Sequence, residues 1–214
     1  MSALALARPE PAPEAFDDCA RPALANTGHL TVKVARTLDD LLQVMAVRTL
    51  VYMGEQQCPF DEEYDGNDFA GATHLILRRD DEPVGVVRLR WFAGFAKLER
   101  LAIRREFRGG AGLMLLASEA FELAALKGYR KLMGHAQGRV VAFWRRKFKG
   151  RIRNGRPLFS FSDHDYVELE FDLEPLPGAL TIDSDPFVLI RPEGEWDRPG
   201  VLDRSHSRPA GAVL

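Results

Sequence analysis

Two ionisable side chains on neighbouring predicted strands could accept a proton. Glu99 lies in the strand pattern of residues 96–103, and His135 lies near the end of the next strand pattern, residues 131–136. A carboxylate can take a proton through water, and imidazole has a pKa near neutrality, so either group could serve as a general base. The alternatives are a surface or cross-strand ion pair for Glu99 and a hydrogen-bonded core position for His135.

A turn almost without side chains follows the first of these strands. It consists of Arg108, Gly109, Gly110, Ala111 and Gly112, and an apolar helical run comes after it. Glycine permits positive φ and close approach to backbone N–H groups, and a helix N-terminus offers unpaired donors to an anion. The turn therefore predicts a phosphate or pyrophosphate site. It lacks the residues of a P-loop and of the dinucleotide fingerprint, and a turn that only packs strand against helix is the alternative.

The elements that would position these residues alternate between strands and helices. Strands are predicted at residues 29–35, 73–77, 84–91, 96–103, 131–136, 157–162 and 166–173, and helices at 38–53, 112–127 and 138–148. Thr37 is expected to cap the first helix, with Asp40 as its capping-box partner. The pattern predicts an α+β fold. A long acidic, aromatic loop, residues 54–72, joins the first helix to the second strand; it is not a calcium loop, because Ala72 stands where glutamate is required.

Composition sets limits on organisation and partners. The chain has 214 residues with net charge −2 and 46% hydrophobic residues, which is ordinary for a globular protein and predicts neither nucleic-acid binding nor a membrane span. Cys19 and Cys58 define no disulfide framework, so a reducing cytoplasm is expected. We predict a flexible arm at residues 1–28, one domain at 29–173 and a partly docked extension at 174–214. Within the extension, residues 187–190 are expected as an edge strand or across the cleft, and the last residues as disordered.

The stretch K-L-E-R-L-A-I-R-R-E-F-R-G-G-A-G-L-M-L-L, residues 97–116, resembles the acyl-CoA-binding motif of the GNAT superfamily of N-acyltransferases. Together with the order of elements, this resemblance implies a GNAT fold with α/β/α layers and a mixed, splayed central sheet. It also implies transfer of an acetyl or other acyl group from acyl-CoA to a primary amine, without a metal. Leu101, Ala102 and Ile103 would pair with pantetheine, and the turn from Arg108 to Gly112 would hold pyrophosphate. That turn is one residue shorter than the family's usual pattern.

A second stretch, H-A-Q-G-R-V-V-A-F-W-R-R-K-F, is similar to the fourth helix of the same family. The family commonly has a tyrosine there that protonates the departing thiolate. Trp144 occupies this position, and its indole N–H has no useful acidity. Phe143 and Trp144 would then form a wall of the acyl-pantetheine channel, or they are core aromatic residues of a helix.

A third resemblance concerns the charged residues around the 54–72 loop. Their spacing is similar to that of acyl-homoserine-lactone synthases, a related group with the same fold, although Cys58 and Pro59 replace the tryptophan of those enzymes. The resemblance implies that these residues hold the acceptor loop and line the amine site; structural salt bridges are the alternative. The residues are Arg48, Tyr52, Asp65, Asp68, Arg88 and Arg100.

Two other functions remain open at this point. One is synthesis of a long-chain N-acyl amino acid or a lactone-type product from acyl-carrier protein, and the other is an acyl-CoA-binding domain without catalysis. A basic stretch could meet the 3′-phosphate of CoA or the acidic surface of an acyl-carrier protein, or it could be a solvated face. Its members are Arg145, Arg146, Lys147, Lys149, Arg151, Arg153 and Arg156. The expected partners are a small amine or amino acid; nucleic acid is not expected, and a homodimer is allowed.

Overall fold

The computed structural model describes residues 28–157 and 159–205. Apart from Gly28, the predicted N-terminal arm lies outside this part of the chain, and so do residues 206–214 of the predicted disordered end. Within the described residues, none of the helices has the length and apolar character that a membrane span requires.

A mixed sheet forms the centre of the described part of the chain. Its eight strands are β1 Leu30–Val34, β2 Thr73–Arg79, β3 Glu82–Phe92, β4 Phe95–Ile103, β5 Lys131–Gln137, β6 Arg151–Ile152, β7 Phe159–Phe161 and β8 His164–Asp172. Their order is β1-β2-β3-β4-β5-β8-β6, and β7 also pairs with β8. The predicted strands are confirmed, whereas the two-residue β6 is too short to have been predicted.

Helices cover both faces of this sheet. They are α1 Leu38–Arg48, α2 Phe60–Glu63, α3 Gly112–Leu126, α4 Gly138–Phe148, α5 Pro186–Leu189 and α6 Val201–Ser205. The side chain of Thr37 accepts from the N–H of Asp40 and Asp40 caps in return, so the predicted capping box is confirmed. α1 packs over one cluster of buried residues that includes Val44, Val47 and Ile76, and α3 packs over the other. These layers are the α/β/α arrangement expected.

The predicted first helix changes its character after Arg48. Residues Thr49–Glu55 continue it as a π-helical segment, which includes the first two residues of the 54–72 loop. π-helical turns are rare and are frequently found at functional sites. This segment places Tyr52 in the protein interior and Glu55 at the surface.

The C-terminal extension docks differently from the prediction. Residues 186–189 form a helix, begun by the Asp185 side chain, which accepts from the N–H of Phe187, and by Pro186 at the first helical position. The predicted edge strand is therefore wrong, and these residues do not line the cleft described below. Farther along, Glu193 accepts hydrogen bonds from Lys127 at 2.7 Å and from Thr73 at 3.1 Å, which attaches the extension to the domain.

The strands β4 and β5, which form the one parallel pair among the described strands, remain together only briefly. Their pairing covers Ala96–Leu98 on β4, opposite residues 132–134 on β5. A Cβ added to Gly134 would lie 3.3 Å from the carbonyl oxygen of Leu98, so the backbones are close at this point. Beyond it the strands separate, and a gap opens in the middle of the sheet.

A β-bulge interrupts the pairing of β3 with β4 next to this gap. Val86 pairs with Ala102 and Arg88 pairs with Glu99, so β4 carries one residue more than β3 between these pairs. The backbone of Arg100 in the bulge has φ 52°, in the left-handed region that residues other than glycine seldom occupy. Bulges re-aim the side chains of a strand and are common beside active sites.

Candidate active site

A cleft of about 540 Å³ lies where β4 and β5 separate. Its walls come from both strands, from α4, from the β7–β8 hairpin and from the 54–72 loop. The predicted site residues that line it are Tyr52, Asp65, Glu99, Arg100, Leu101, His135, Phe143 and Trp144. The structure thus brings both candidate bases and both α4 aromatic residues to one cavity.

The backbone of β4 beyond the bulge has one edge toward β3 and the other toward the gap. The N–H of Arg104 donates to the carbonyl oxygen of Val84 on β3 at 2.9 Å. Because backbone groups alternate along an antiparallel strand, Ala102 also bonds toward β3, whereas Leu101 and Ile103 point toward the gap. The side chain of Ala102 is buried beneath α1.

Side chains already bind the two carbonyl groups on this open edge. The hydroxyl of Tyr52 donates to the carbonyl oxygen of Leu101 at 2.9 Å. Nε of Arg108 donates to the carbonyl oxygen of Ile103 at 2.8 Å. Tyr52 thus reaches the β4 edge from the π-helical segment, and Arg108 reaches it from the glycine turn.

The glycine turn packs α3 against the sheet and leaves the N-terminus of α3 without a cap. Gly112, the first residue of α3, is buried, and a Cβ added there would lie 2.8 Å from Cδ2 of Leu77. Gly109 has φ +84° with open space around it, and residues 109–111 are exposed. No side chain caps the N-terminus of α3, so its first amides are available to an anion.

The comparisons with known proteins place the chain in a family. No family model matches it. It is 30% identical over 114 residues to the uncharacterized N-acetyltransferase YjcF of Bacillus subtilis (strain 168), a match that covers 53% of this chain and 80% of that protein. The chain belongs to the GNAT family of N-acetyltransferases. It is also 28% identical over 118 residues to the acetyltransferase BSU40680 of the same organism, covering 54% of this chain and 80% of the relative.

Solved structures show the same fold. An acyl-CoA N-acyltransferase from Pseudomonas aeruginosa superposes with a TM-score of 0.58 at 23% identity, covering 68% of this chain and 99% of that one. FeeM, an N-acyl amino acid synthase from uncultured soil microbes, superposes with a TM-score of 0.57 at 10% identity, covering 84% and 99%. The chain itself has the splayed, mixed sheet that was expected. Its fold implies an acyl-CoA co-substrate.

His135 of the acetyltransferase faces the cleft from the end of β5. Its Nε2 lies 3.6 Å from Oε2 of Glu168 on β8, and its ring contacts Phe159. Burial, together with the positive charge of Lys97, lowers the pKa of His135 below its ordinary value. The imidazole is therefore neutral near pH 7 and able to accept a proton.

Glu99 is surrounded by cations. Oε1 accepts from Nε of Arg88 at 3.0 Å, and Oε2 lies 2.8 Å from Nζ of Lys97. The guanidinium of Arg90 lies farther away, at 3.9 Å from Oε1. Both carboxylate oxygens already have partners, so a proton taken up by Glu99 would displace one of them.

The charged residues assigned to the amine site form one network that is largely buried. Arg48 and Arg88 are completely inaccessible to solvent, and Asp68 is buried beside them. Only Tyr52, Asp65 and Arg100 of the predicted set line the cleft. Despite the opposing effect of burial, ion pairs raise the pKa of Arg88 and lower that of Asp68. The pairs are Arg48–Glu63, Arg48–Asp68, Arg88–Asp68, Arg88–Asp65, Arg88–Glu99, Arg100–Glu63 and Arg100–Asp65, with N–O separations of 2.5–3.3 Å.

The β7–β8 hairpin closes one side of the cleft, which the sequence did not indicate. The N–H of Ser162 donates to Oε2 of Glu62 at 2.8 Å, and its hydroxyl donates to the carbonyl oxygen of Gln56 at 3.2 Å. The guanidinium of Arg100 stacks on Phe161 at 4.2 Å. The hairpin is thus attached to both the 54–72 loop and the β4 bulge.

Carboxylates of a neighbouring strand partly neutralise the predicted basic stretch at the surface of the sheet. Arg151, Arg153 and Arg156 pair with carboxylates of β8, which are supplied by Glu168, Glu170 and Asp172. The cations at the end of α4 are exposed to solvent; they are Arg145, Arg146, Lys147 and Lys149. A surface for an acidic partner would therefore be confined to the last turn of α4.

Proposed function

We propose that this acetyltransferase moves an acyl group from acyl-CoA to a primary amine in the cleft between β4 and β5, with His135 as the general base. The observation that carries the proposal is the gap in the sheet. The open edge of β4, Leu113 in the first turn of α3 and the imidazole of His135 border the same cavity at this gap.

The residues around the gap fit an acyl-CoA. The exposed amides of residues 109–111 and the first turn of α3 would hold its diphosphate, with Arg108 beside them. Leu101 and Ile103 present their backbone N–H groups to the gap, where pantetheine would lie. Phe143 and Trp144 line the same cavity and would form its apolar wall. Ala102 takes no part, because its backbone bonds toward β3.

The side chains of the cleft can perform the proton transfers of aminolysis. His135 would take the proton of the ammonium group, and the N–H of Leu101 would stabilise the developing oxyanion. The hydroxyl of Tyr166 lines the cleft and accepts from Nε2 of Gln137 at 3.0 Å, which leaves its own proton available for the departing thiolate. Burial raises the pKa of Tyr166, so its hydroxyl is protonated at neutral pH.

Thiol release tests the function directly. The full-length protein is incubated with acetyl-CoA, octanoyl-CoA or octanoyl-acyl-carrier protein and a panel of primary amines, and free thiol and acylated amine are quantified. We expect thiol release that depends on the amine. Native mass spectrometry on the same samples identifies the bound donor. Binding of acyl-CoA without thiol release for any amine would contradict catalysis and favour a binding domain.

Replacing Gly110 by glutamate should weaken CoA binding more than about tenfold. The new side chain brings bulk and negative charge to the exposed turn where the diphosphate is placed. Calorimetric titration with CoA measures the effect, and circular dichroism checks the fold. Ser118→Glu, which adds the same charge to an exposed position farther along α3, is the matched control. Equal affinities for the two variants would remove the diphosphate from this turn.

Two cations at one part of the cleft wall favour a second, narrower function, in which the acceptor amine also carries a carboxylate. Arg90 and Lys97 line the cleft and share Glu99, whose Oε1 is already taken by Arg88. Two cations therefore share one carboxylate at this part of the wall, which suits the carboxylate of an amino acid, whereas Asp61, Glu62 and Asp65 line the side that the 54–72 loop forms. FeeM, the N-acyl amino acid synthase, also has a structural match that extends over more of this chain than the match to the Pseudomonas enzyme.

Replacing Arg90 by glutamine should therefore reduce the preference for an amino acid over its amide. For the wild type, kcat/KM for the acid should exceed that for the amide by about tenfold or more, the value of one charge-assisted hydrogen bond. The variant should bring this ratio close to one, and Arg130→Gln, an exposed cation outside the cleft, should leave it unchanged. Equal use of acid and amide by the wild type would refute the carboxylate subsite and leave acyl transfer intact.

A further inference from the structure

The side chain of Arg108 contacts both the open edge of β4 and the start of the 54–72 loop. Its Nε bonds the carbonyl oxygen of Ile103 on the open edge of β4, and one of its terminal nitrogens lies 2.7 Å from Oε2 of Glu55. Glu55 is the last residue of the π-helical segment, and Gln57, two residues later, has φ 56°. One guanidinium thus connects the glycine turn with the start of the 54–72 loop.

Breaking the ion pair between Arg108 and Glu55 should cost little free energy. The two side chains are 44% and 28% exposed, and ion pairs at such positions contribute little to stability. They border a second cavity of about 680 Å³ that also contains Gly138 and Arg139. A diphosphate is a stronger partner for a guanidinium than a single carboxylate is, because it offers more charge and bidentate geometry.

Glu55 also opposes an anion at the turn directly. A carboxylate held against Arg108 occupies the guanidinium and places negative charge beside the end of α3. A diphosphate that binds there shares the guanidinium with Glu55, and the two anions repel each other until Glu55 moves away. The released carboxylate then loses its partner at the point where the 54–72 loop begins.

We propose that Glu55 competes with the diphosphate of the acyl carrier for Arg108, and that loading of the carrier thereby frees the first residues of the 54–72 loop. The inference rests on the proposed placement of the diphosphate. Because such coupling is reciprocal, a loop held against Arg108 weakens carrier binding to the same extent that the carrier loosens the loop.

Glu55→Gln tests the competition by comparing CoA with pantetheine, which lacks the diphosphate. Calorimetry should show that the variant binds CoA about two- to fivefold more tightly than the wild type, the range of a partly exposed ion pair. Its affinity for pantetheine should not change. Glu106→Gln removes a carboxylate that pairs with Arg104 on the same connection and should alter neither affinity.

The outcomes separate this inference from the function on which it rests. Unchanged or weaker CoA binding by Glu55→Gln, or an equal gain for CoA and pantetheine, would overturn the competition while acyl-CoA binding stands. Absence of CoA binding by the wild type would overturn both. In hydrogen exchange, CoA should increase exchange at residues 55–58 of the wild type and not of the variant; equal responses would also overturn the inference.

Discussion

Replacing Arg88 by methionine should lower the free energy of unfolding by about 3–5 kcal/mol. Arg88 is fully buried and pairs with Asp65, Asp68 and Glu99, so its loss leaves buried negative charge without a counterion. Denaturant unfolding followed by circular dichroism gives the change. The loss of a charged partner dominates, because methionine keeps much of the volume of the arginine stem.

The matched control for this prediction is Arg104→Met. Arg104 also has two carboxylate partners, Glu82 and Glu106, but these are 41% and 48% exposed and are solvated after the substitution. We expect a cost of about 1 kcal/mol or less. A cost for Arg88→Met that does not exceed that of the control would show that the buried network is not required for the fold.

Replacing His135 by asparagine should reduce kcat/KM about 100- to 10,000-fold, the usual contribution of a general base. Because burial and the charge of Lys97 lower the pKa of His135, the wild type should keep its activity somewhat below pH 6.5. It should lose activity on the acid side as the imidazole is protonated. The variant should lack this acid limb. The pH profile of kcat/KM, measured with a saturating donor, tests both statements.

Glu99→Gln distinguishes the two candidate bases. If the acid limb persists in His135→Asn and disappears in Glu99→Gln, the base is Glu99. The pH range must avoid unfolding. The lowered pKa of His135 means that the unfolded state binds its proton more readily, so stability decreases as the pH falls below about 6.5. Circular dichroism at each pH separates loss of the base from loss of the fold.

Local signals were sufficient to predict most of the fold. The capping box at Thr37 and the glycine turn depend on neighbouring residues, and both appear where expected. The edge strand expected at residues 187–190 is wrong because a short apolar run has no clear period. The Asp185–Pro186 pair before it, a capping residue followed by proline at the first helical position, was the better signal.

The site was harder to predict than the fold, because burial and cross-strand register are tertiary properties. Arg48, Arg88 and Arg100 look alike in the sequence, yet the first two lie beneath the cleft and only Arg100 lines it. Arg90 was missed because its position beside Glu99 depends on its pairing with Lys97 across β3 and β4. Glu55 was missed because a π-helical segment orients it.

The short contact between Ala96–Leu98 and residues 132–134 divides the sheet into two half-sheets, β1 to β4 on one side and β5, β8, β6 and β7 on the other. Among the described residues, three paired positions join the halves. An extended amide chain laid in the gap would act as a temporary strand and lengthen that junction on both sides. The co-substrate would then hold the two half-sheets together, and the junction between them would be more pliable in the empty protein.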